Sequence, residues 1–241
     1  AHHKGEGFEK FLPRLLNMVS ELKELSFESG KKIVLALEPE PDCVLETTEE
    51  TLNFFRALFD ADHFTSQEER RAFVGVCLDT CHFAVNFELP GEALIKFSEE
   101  GINTFKIQLS NAPTWTKDIH ADSLAMLYDD TYLHQIRRKL ADGRIESLPD
   151  APADQSLLTE GATEWRCHFH TPLFIDSYKD FGSTQVQIQE TIRVASNLTT
   201  ASFCFEVETY TWSVLPDSHK PDSPEECVIS ELVWAAKSID S

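Results

Sequence analysis

Two segments, residues 33–38 (IVLALE) and Val74–Asp79 (VGVCLD), are apolar at almost every position and then stop on an acid. A strand that is apolar without alternation is covered on both faces, as in a parallel sheet flanked by helices. Three further segments read as strands: Thr104–Leu109 (TFKIQL), 166–171 (RCHFHT) and 202–208 (SFCFEVE).

Helical patterns lie between most of these strands. Phe8, Phe11, Leu12, Leu15, Val19 and Leu22 form one stripe, closed by Gly30. Thr47 and Glu50 make a capping box ahead of Leu52, Phe55 and Phe59. Residues 90–100, 123–140 and 185–198 read as further helices, and Ser223, Pro224 and Glu226 open a last one. The stretch 142–164 is polar and proline-bearing and reads as an excursion. The run Arg137, Arg138, Lys139 reads as one solvated helix face.

Strand–helix alternation allows a doubly wound sheet or a barrel. The polar residues choose between them. Glu38, Asp79, Gln108, His168 with His170, and Glu208 all fall at or near the C-terminal ends of strands, and His82 follows Asp79 by one helical turn. In a barrel such ends converge on one mouth, where the chemistry is kept. A doubly wound sheet calls for a glycine-rich first loop, which this chain lacks. Taken singly, a strand-end acid is often a cap and a strand histidine a hydrogen-bonded core residue. Together they give carboxylates, imidazoles and an amide, a donor set that suits Mn²⁺, Mg²⁺, Zn²⁺, Fe²⁺ or Co²⁺. Glu206 competes with Glu208, because both face the same side of a strand and Glu206 lies one layer deeper. Glu208, at the rim, is the expected ligand. Trp115, Tyr210 and Trp212 could wall the mouth.

The series resembles the xylose-isomerase-like superfamily, which takes in sugar isomerases, epimerases and repair enzymes of the endonuclease IV type. The resemblance rests on Glu38 in LALEPEP, Asp79-x-x-His82, His168-x-His170 and Glu208 in VET. LETTEET, CLDTCHFAV, QLSNA, WRCHFHTPLF and EVETYTW are similar to the EboE-type metabolite traffic proteins, a branch of that superfamily. Two positions depart from the pattern. Gln108 stands where relatives carry an acid or a histidine, and Glu40 stands where sugar isomerases place a lysine.

The resemblance implies an α/β fold, a xylose-isomerase-like (βα)₈ TIM barrel. A complete barrel needs eight strands, so the expectation is one barrel domain over residues 1–241, incomplete at its N-terminus. About five strands would form an open arc with the 33–38 strand at an edge, as the C-terminal piece of a longer chain. It also implies a divalent metal held by Glu38, Asp79, His82, Gln108, His168, His170 and Glu208, with Glu38, Glu208 and His82 as catalytic groups. Tyr210 and Trp212 would touch substrate. The expected activity is isomerisation or epimerisation of a small hydroxy-carbonyl, sugar-like metabolite in a biosynthetic or traffic pathway. The alternatives are a non-catalytic metabolite-binding protein and, third, a metal-dependent phosphodiesterase.

Composition bears on the partners. A net charge of −20 opposes nucleic acid. No apolar run reaches the ~18 residues of a membrane helix, so no membrane insertion is expected. Six cysteines without a C-x-x-C pair, with Cys77, Cys167 and Cys204 in strand-like runs, read as buried reduced thiols. That suits the cytoplasm or a plastid stroma.

Overall fold

The structure is a computed structural model that describes residues 7–128, 133–198, 203–208, 211–215 and 220–240. In chain order its first half holds α1 (Leu12–Ser29), β1 (Leu35–Leu37), α2 (Thr48–Asp60), α3 (Gln67–Phe73), β2 (Val74–Asp79), α4 (Thr80–Val85), α5 (Pro90–Glu99), β3 (Thr104–Leu109) and β4 (Pro113–Trp115). Then follow α6 (Ala121–Leu124), β5 (Ile136–Lys139), β6 (Ile145–Leu148), β7 (Glu164–Cys167), β8 (Ser177–Tyr178), β9 (Phe181–Ser183), α7 (Gln185–Asn197), β10 (Cys204–Val207) and α8 (Pro224–Ile239).

Local chemistry sets several of these boundaries. Gly30 ends α1 in the left-handed conformation, at φ 66°. Thr47 accepts the Glu50 backbone N–H while the Glu50 carboxylate accepts that of Thr47, a reciprocal cap that starts α2. Ser66 and Glu69 repeat the device at α3.

β1, β2, β3 and β10 form a parallel sheet in the order β1-β2-β3-β10. Val74, Val76, Leu78, Ile107 and Leu109 enter one core with Leu16, Val19, Phe55, Leu58, Phe97, Ile188 and Ile192 of the helices. Because strand side chains alternate, Cys77, Asp79, Lys106, Gln108, Glu206 and Glu208 occupy the opposite face. A bulge between Val76 and Cys77 turns Phe105 toward Gly75. A Cβ on Gly75 would lie 2.2 Å from the Asn103 carbonyl oxygen and 2.7 Å from the Phe105 ring, so this position must be glycine.

The remaining six strands form an antiparallel sheet, in the order β6-β5-β7-β4-β9-β8. One face carries a second core of Trp115, Ile136, Trp165, Cys167, Phe169 and Phe181, closed over by Leu124, Leu127 and Leu158. The other face carries arginines into the first layer. Arg137 is buried and bonds Glu46 at 2.5 Å, Asp42 at 3.0 Å and Asn86 at 3.1 Å. Arg166 donates to the Ala84 carbonyl at 2.7 Å and lies 4.2 Å above the Phe87 ring.

Several expectations are corrected. The fold is mixed α/β with one parallel and one antiparallel sheet, and no closed barrel exists among the described residues. The parallel arc holds four strands, not five, although the 33–38 segment does lie at its edge. The 166–171 segment belongs to the second sheet only through β7, since Arg166 and Cys167 pair with β5 and the rest leaves the ladder. Residues 123–140 are not one helix. They give the end of α6, a 3₁₀ turn and β5. Arg137 and Arg138 are not a solvated helix face, because Glu46, Asp42 and Glu146 supply partners that only a strand can reach. Cys204 is exposed rather than buried, for it sits on the uncovered face of an edge strand. Cys77 and Cys167 are buried and outside any disulfide, as expected. No helix among the described residues is long and apolar enough to cross a membrane.

Candidate metal centre

The polar cluster sits where the C-terminal ends of the parallel strands meet the second layer. Asp79 ends β2 and caps α4: its Oδ1 accepts the backbone N–H groups of Cys81 at 2.8 Å and His82 at 3.1 Å. The Ser110 hydroxyl adds a third bond at 2.5 Å. The other oxygen, Oδ2, is fully buried and has no hydrogen-bond partner among the described residues. Burial opposes ionisation here, but His82, His170 and the donors on Oδ1 hold the carboxyl below its ordinary range.

One turn into α4, His82 donates from Nδ1 to the Pro39 carbonyl at 2.9 Å. Its Nε2 is 3.0 Å from Nε2 of His168. The Nδ1 of His168 is held in turn by the Gln135 side-chain carbonyl at 2.9 Å, and its backbone N–H by the Gln135 carbonyl at 2.8 Å. His168 and His170 follow β7 outside any ladder, yet their rings remain 5.3 Å apart and both reach the cluster. The Thr171 N–H bonds the Asn111 carbonyl at 2.9 Å, and the Thr211 hydroxyl donates to the His170 carbonyl, which together fix the segment. Burial pulls the His170 imidazole down to about 4. Burial, reinforced by His82 and His170, takes His168 well below its ordinary value. Both rings are therefore neutral donors near pH 7.

Glu38 follows β1 and Glu208 follows β10. Glu208 lies 3.4 Å from Nδ1 of His170 and accepts the Gln108 amide at 2.6 Å. Burial and then the Asp79 charge push its carboxyl up to about 7, with the Gln108 bond opposing. Glu38 is raised chiefly by burial, while His82, 3.6 Å away, opposes.

Three overlapping groups in this cluster could hold a metal ion: Glu38, Asp79 and Glu208; Asp79, His82 and His170; and Cys81, His168 and His170. Within each, the donor atoms lie within 4.8 Å of one another. The structure thus brings together Glu38, Asp79, His82, His168, His170 and Glu208, supplied by separate segments of both layers. Gln108 lies beside the cluster. Its Oε1 accepts the Cys77 thiol at 2.6 Å, and its amide donates to Glu208 and so orients that carboxylate. Glu206 pairs with Lys106 at 3.0 Å, away from the cluster.

Trp115 does not wall the mouth. It is buried in the second core, stacked on Trp165 and donating to the Leu158 carbonyl. Trp212 is half-buried in a 3₁₀ turn, where its indole N–H donates to Pro221 and Lys220 covers its ring. Tyr210 lies outside the described residues. Three contributors escaped the sequence reading. Cys81 was visible inside D-T-C-H as a possible donor between two others, whereas Ser110 and Gln135 carry no pattern that singles them out.

No known family model, curated protein or solved structure matches the chain.

Proposed function

We propose that this cluster holds at least one divalent metal ion and that the protein is a metal-dependent isomerase or epimerase-like enzyme acting on a small hydroxy-carbonyl metabolite. The observation that carries the metal reading is Asp79 Oδ2. A carboxylate oxygen that is fully buried and unbonded is costly unless a cation faces it. Asp79 belongs to two of the three donor groups. Carboxylates with neutral imidazoles suit Mn²⁺, Mg²⁺, Zn²⁺, Fe²⁺ or Co²⁺.

Asp79, His82, His170, Glu38 and Glu208 would hold the ion, with His168 and Cys81 as the further donors that share His170. Bound there, such an ion supplies Lewis-acid polarisation of adjacent substrate oxygens. The chain's own contribution is a carboxylate that can take and return a proton. Glu208, half-exposed at the rim, is the first candidate for that carboxylate, with Glu38 the second. His82, tied at Nδ1 to the Pro39 carbonyl, turns Nε2 into the cluster. Membership of the xylose-isomerase-like superfamily, with the parallel strands as an arc of a barrel, and of its EboE-type branch is part of this proposal. It is supported by the motifs and by acids at successive strand ends.

A second reading, a metabolite-binding protein without turnover, is favoured by Gln108, a neutral amide already committed to Cys77 and Glu208. Two measurements separate these readings. The purified protein should retain metal after dialysis. Glu208→Gln should lower the retained amount and Glu206→Gln should not. Deuterium exchange from solvent into hydroxy-aldehydes or hydroxy-ketones, lost on chelation, would mark the enzyme. Retained metal without exchange favours the binding protein, and no retained metal in the wild type sinks both.

A further inference from the structure

The pair His82–His168 poses a problem of proton placement that points to Gln135. The Pro39 carbonyl can only accept, so Nδ1 of His82 carries a proton, and in the form of the ring that can ligate an ion Nε2 is a lone pair. That lone pair faces Nε2 of His168 at 3.0 Å. Two lone pairs at this distance repel, so the other ring has two ways out. If Nε2 of His168 carries its proton, the rings hydrogen-bond and neither nitrogen is available to an ion. If Nδ1 carries it, both Nε2 atoms are bare and one cation can satisfy them together. Two donors on one ion, each at ~2.1 Å, lie about 3.0 Å apart at a right angle and about 3.4 Å apart at a tetrahedral one, so the pair is within reach of a single ion.

The side chain that decides is Gln135. It is buried, and its carbonyl oxygen lies 2.9 Å from Nδ1 of His168. In that orientation only the Nδ1–H form of His168 is satisfied. The backbone pair between the same two residues, His168 N–H to Gln135 C=O at 2.8 Å, leaves the ring and the amide little freedom to part. We infer that Gln135 is a positioning residue of the metal centre, holding His168 in the tautomer that bares Nε2 toward His82. This rests on the metal reading above. It assigns a role to a residue that touches neither an ion nor substrate, and places it on β5's approach in the second layer. An acceptor that fixes a ligand's tautomer is worth about 10–100-fold in metal affinity.

The test is Zn²⁺ titration of the full chain as wild type, Gln135→Glu and Gln135→Leu, with ¹H–¹⁵N correlation spectra of the histidine ring nitrogens. Zn²⁺ affinity should fall about 10–100-fold in Gln135→Leu, which removes the acceptor, and should stay at or above the wild-type level in Gln135→Glu, which keeps it. In Zn²⁺-loaded wild type, His168 should carry its proton on Nδ1. A Gln135→Leu protein that binds Zn²⁺ like wild type, or a Gln135→Glu protein that weakens equally, overturns the inference while leaving the metal reading intact. Should Gln135→Leu not fold, the wild-type ring spectra decide alone, and a proton on Nε2 of His168 in the loaded protein overturns it. A wild type that takes up no Zn²⁺ removes both.

Discussion

Lowering the pH from 8 to 5 should weaken Mn²⁺ binding by about 90-fold through Glu208 alone. A carboxylate must lose its proton to ligate. With a carboxyl pushed up to about 7, roughly 90% is ionised at pH 8 and about 1% at pH 5. The His170 and His168 rings do not compete over this range, because His170 is pulled down to about 4 and His168 also lies well below its ordinary value. Glu38 is raised as well, so its contribution has the same sign. For the metal-free protein the sign reverses. The folded state holds the Glu208 proton more tightly than the unfolded chain, whose value is near 4.5, so this group's stabilisation is complete below about 4.5 and lost as pH rises through about 7. Calorimetric titration with Mn²⁺ in buffers of different ionisation enthalpy reads affinity and proton release together. Constant affinity from pH 5 to 8, with no proton released below pH 7, would refute the reasoning.

Replacing Arg137 by Met takes the cation away from buried Glu46 and from Asp42, and should cost about 3–5 kcal/mol in urea unfolding. A loss below about 1 kcal/mol would mean the arginine is not the tie between the layers. Gly75→Ala forces the Asn103 carbonyl or the Phe105 ring to move and should destabilise by about 1–3 kcal/mol. An unchanged melting temperature would show that the bulge in β2–β3 yields freely.

The first layer was legible because its signals are local. β2 and β3 begin and end where their apolar runs do, and the Thr47 box opens α2 as written. The acids at strand ends were legible for the same reason, since their position follows from the run they close. The second layer was misread because its strands are short and tertiary partners decide them. Arg137 and Arg138 look like a helix face until Glu46 and Glu146 are placed opposite. One clue was available. Asp142 and Gly143, the latter at φ 87°, turn the β5–β6 hairpin, and an Asp-Gly pair is a known hairpin signal. Gln135 was invisible for a deeper reason: it acts on His168, 33 residues away in sequence, through a contact that only the finished sheet creates.

The separation of the two larger cores has a thermodynamic consequence. Val76 and Phe55 belong to one, Trp165 and Phe181 to the other, and the candidate donors straddle the seam: Glu38, Asp79 and His82 from the first layer, His168 and His170 from the second. An ion seated there is a staple between two folding units. At a hundredfold excess over its dissociation constant it would add about 2.7 kcal/mol. That increment falls on parting the layers, not on opening either core alone. Occupancy would then set whether this chain unfolds in one cooperative step or in two.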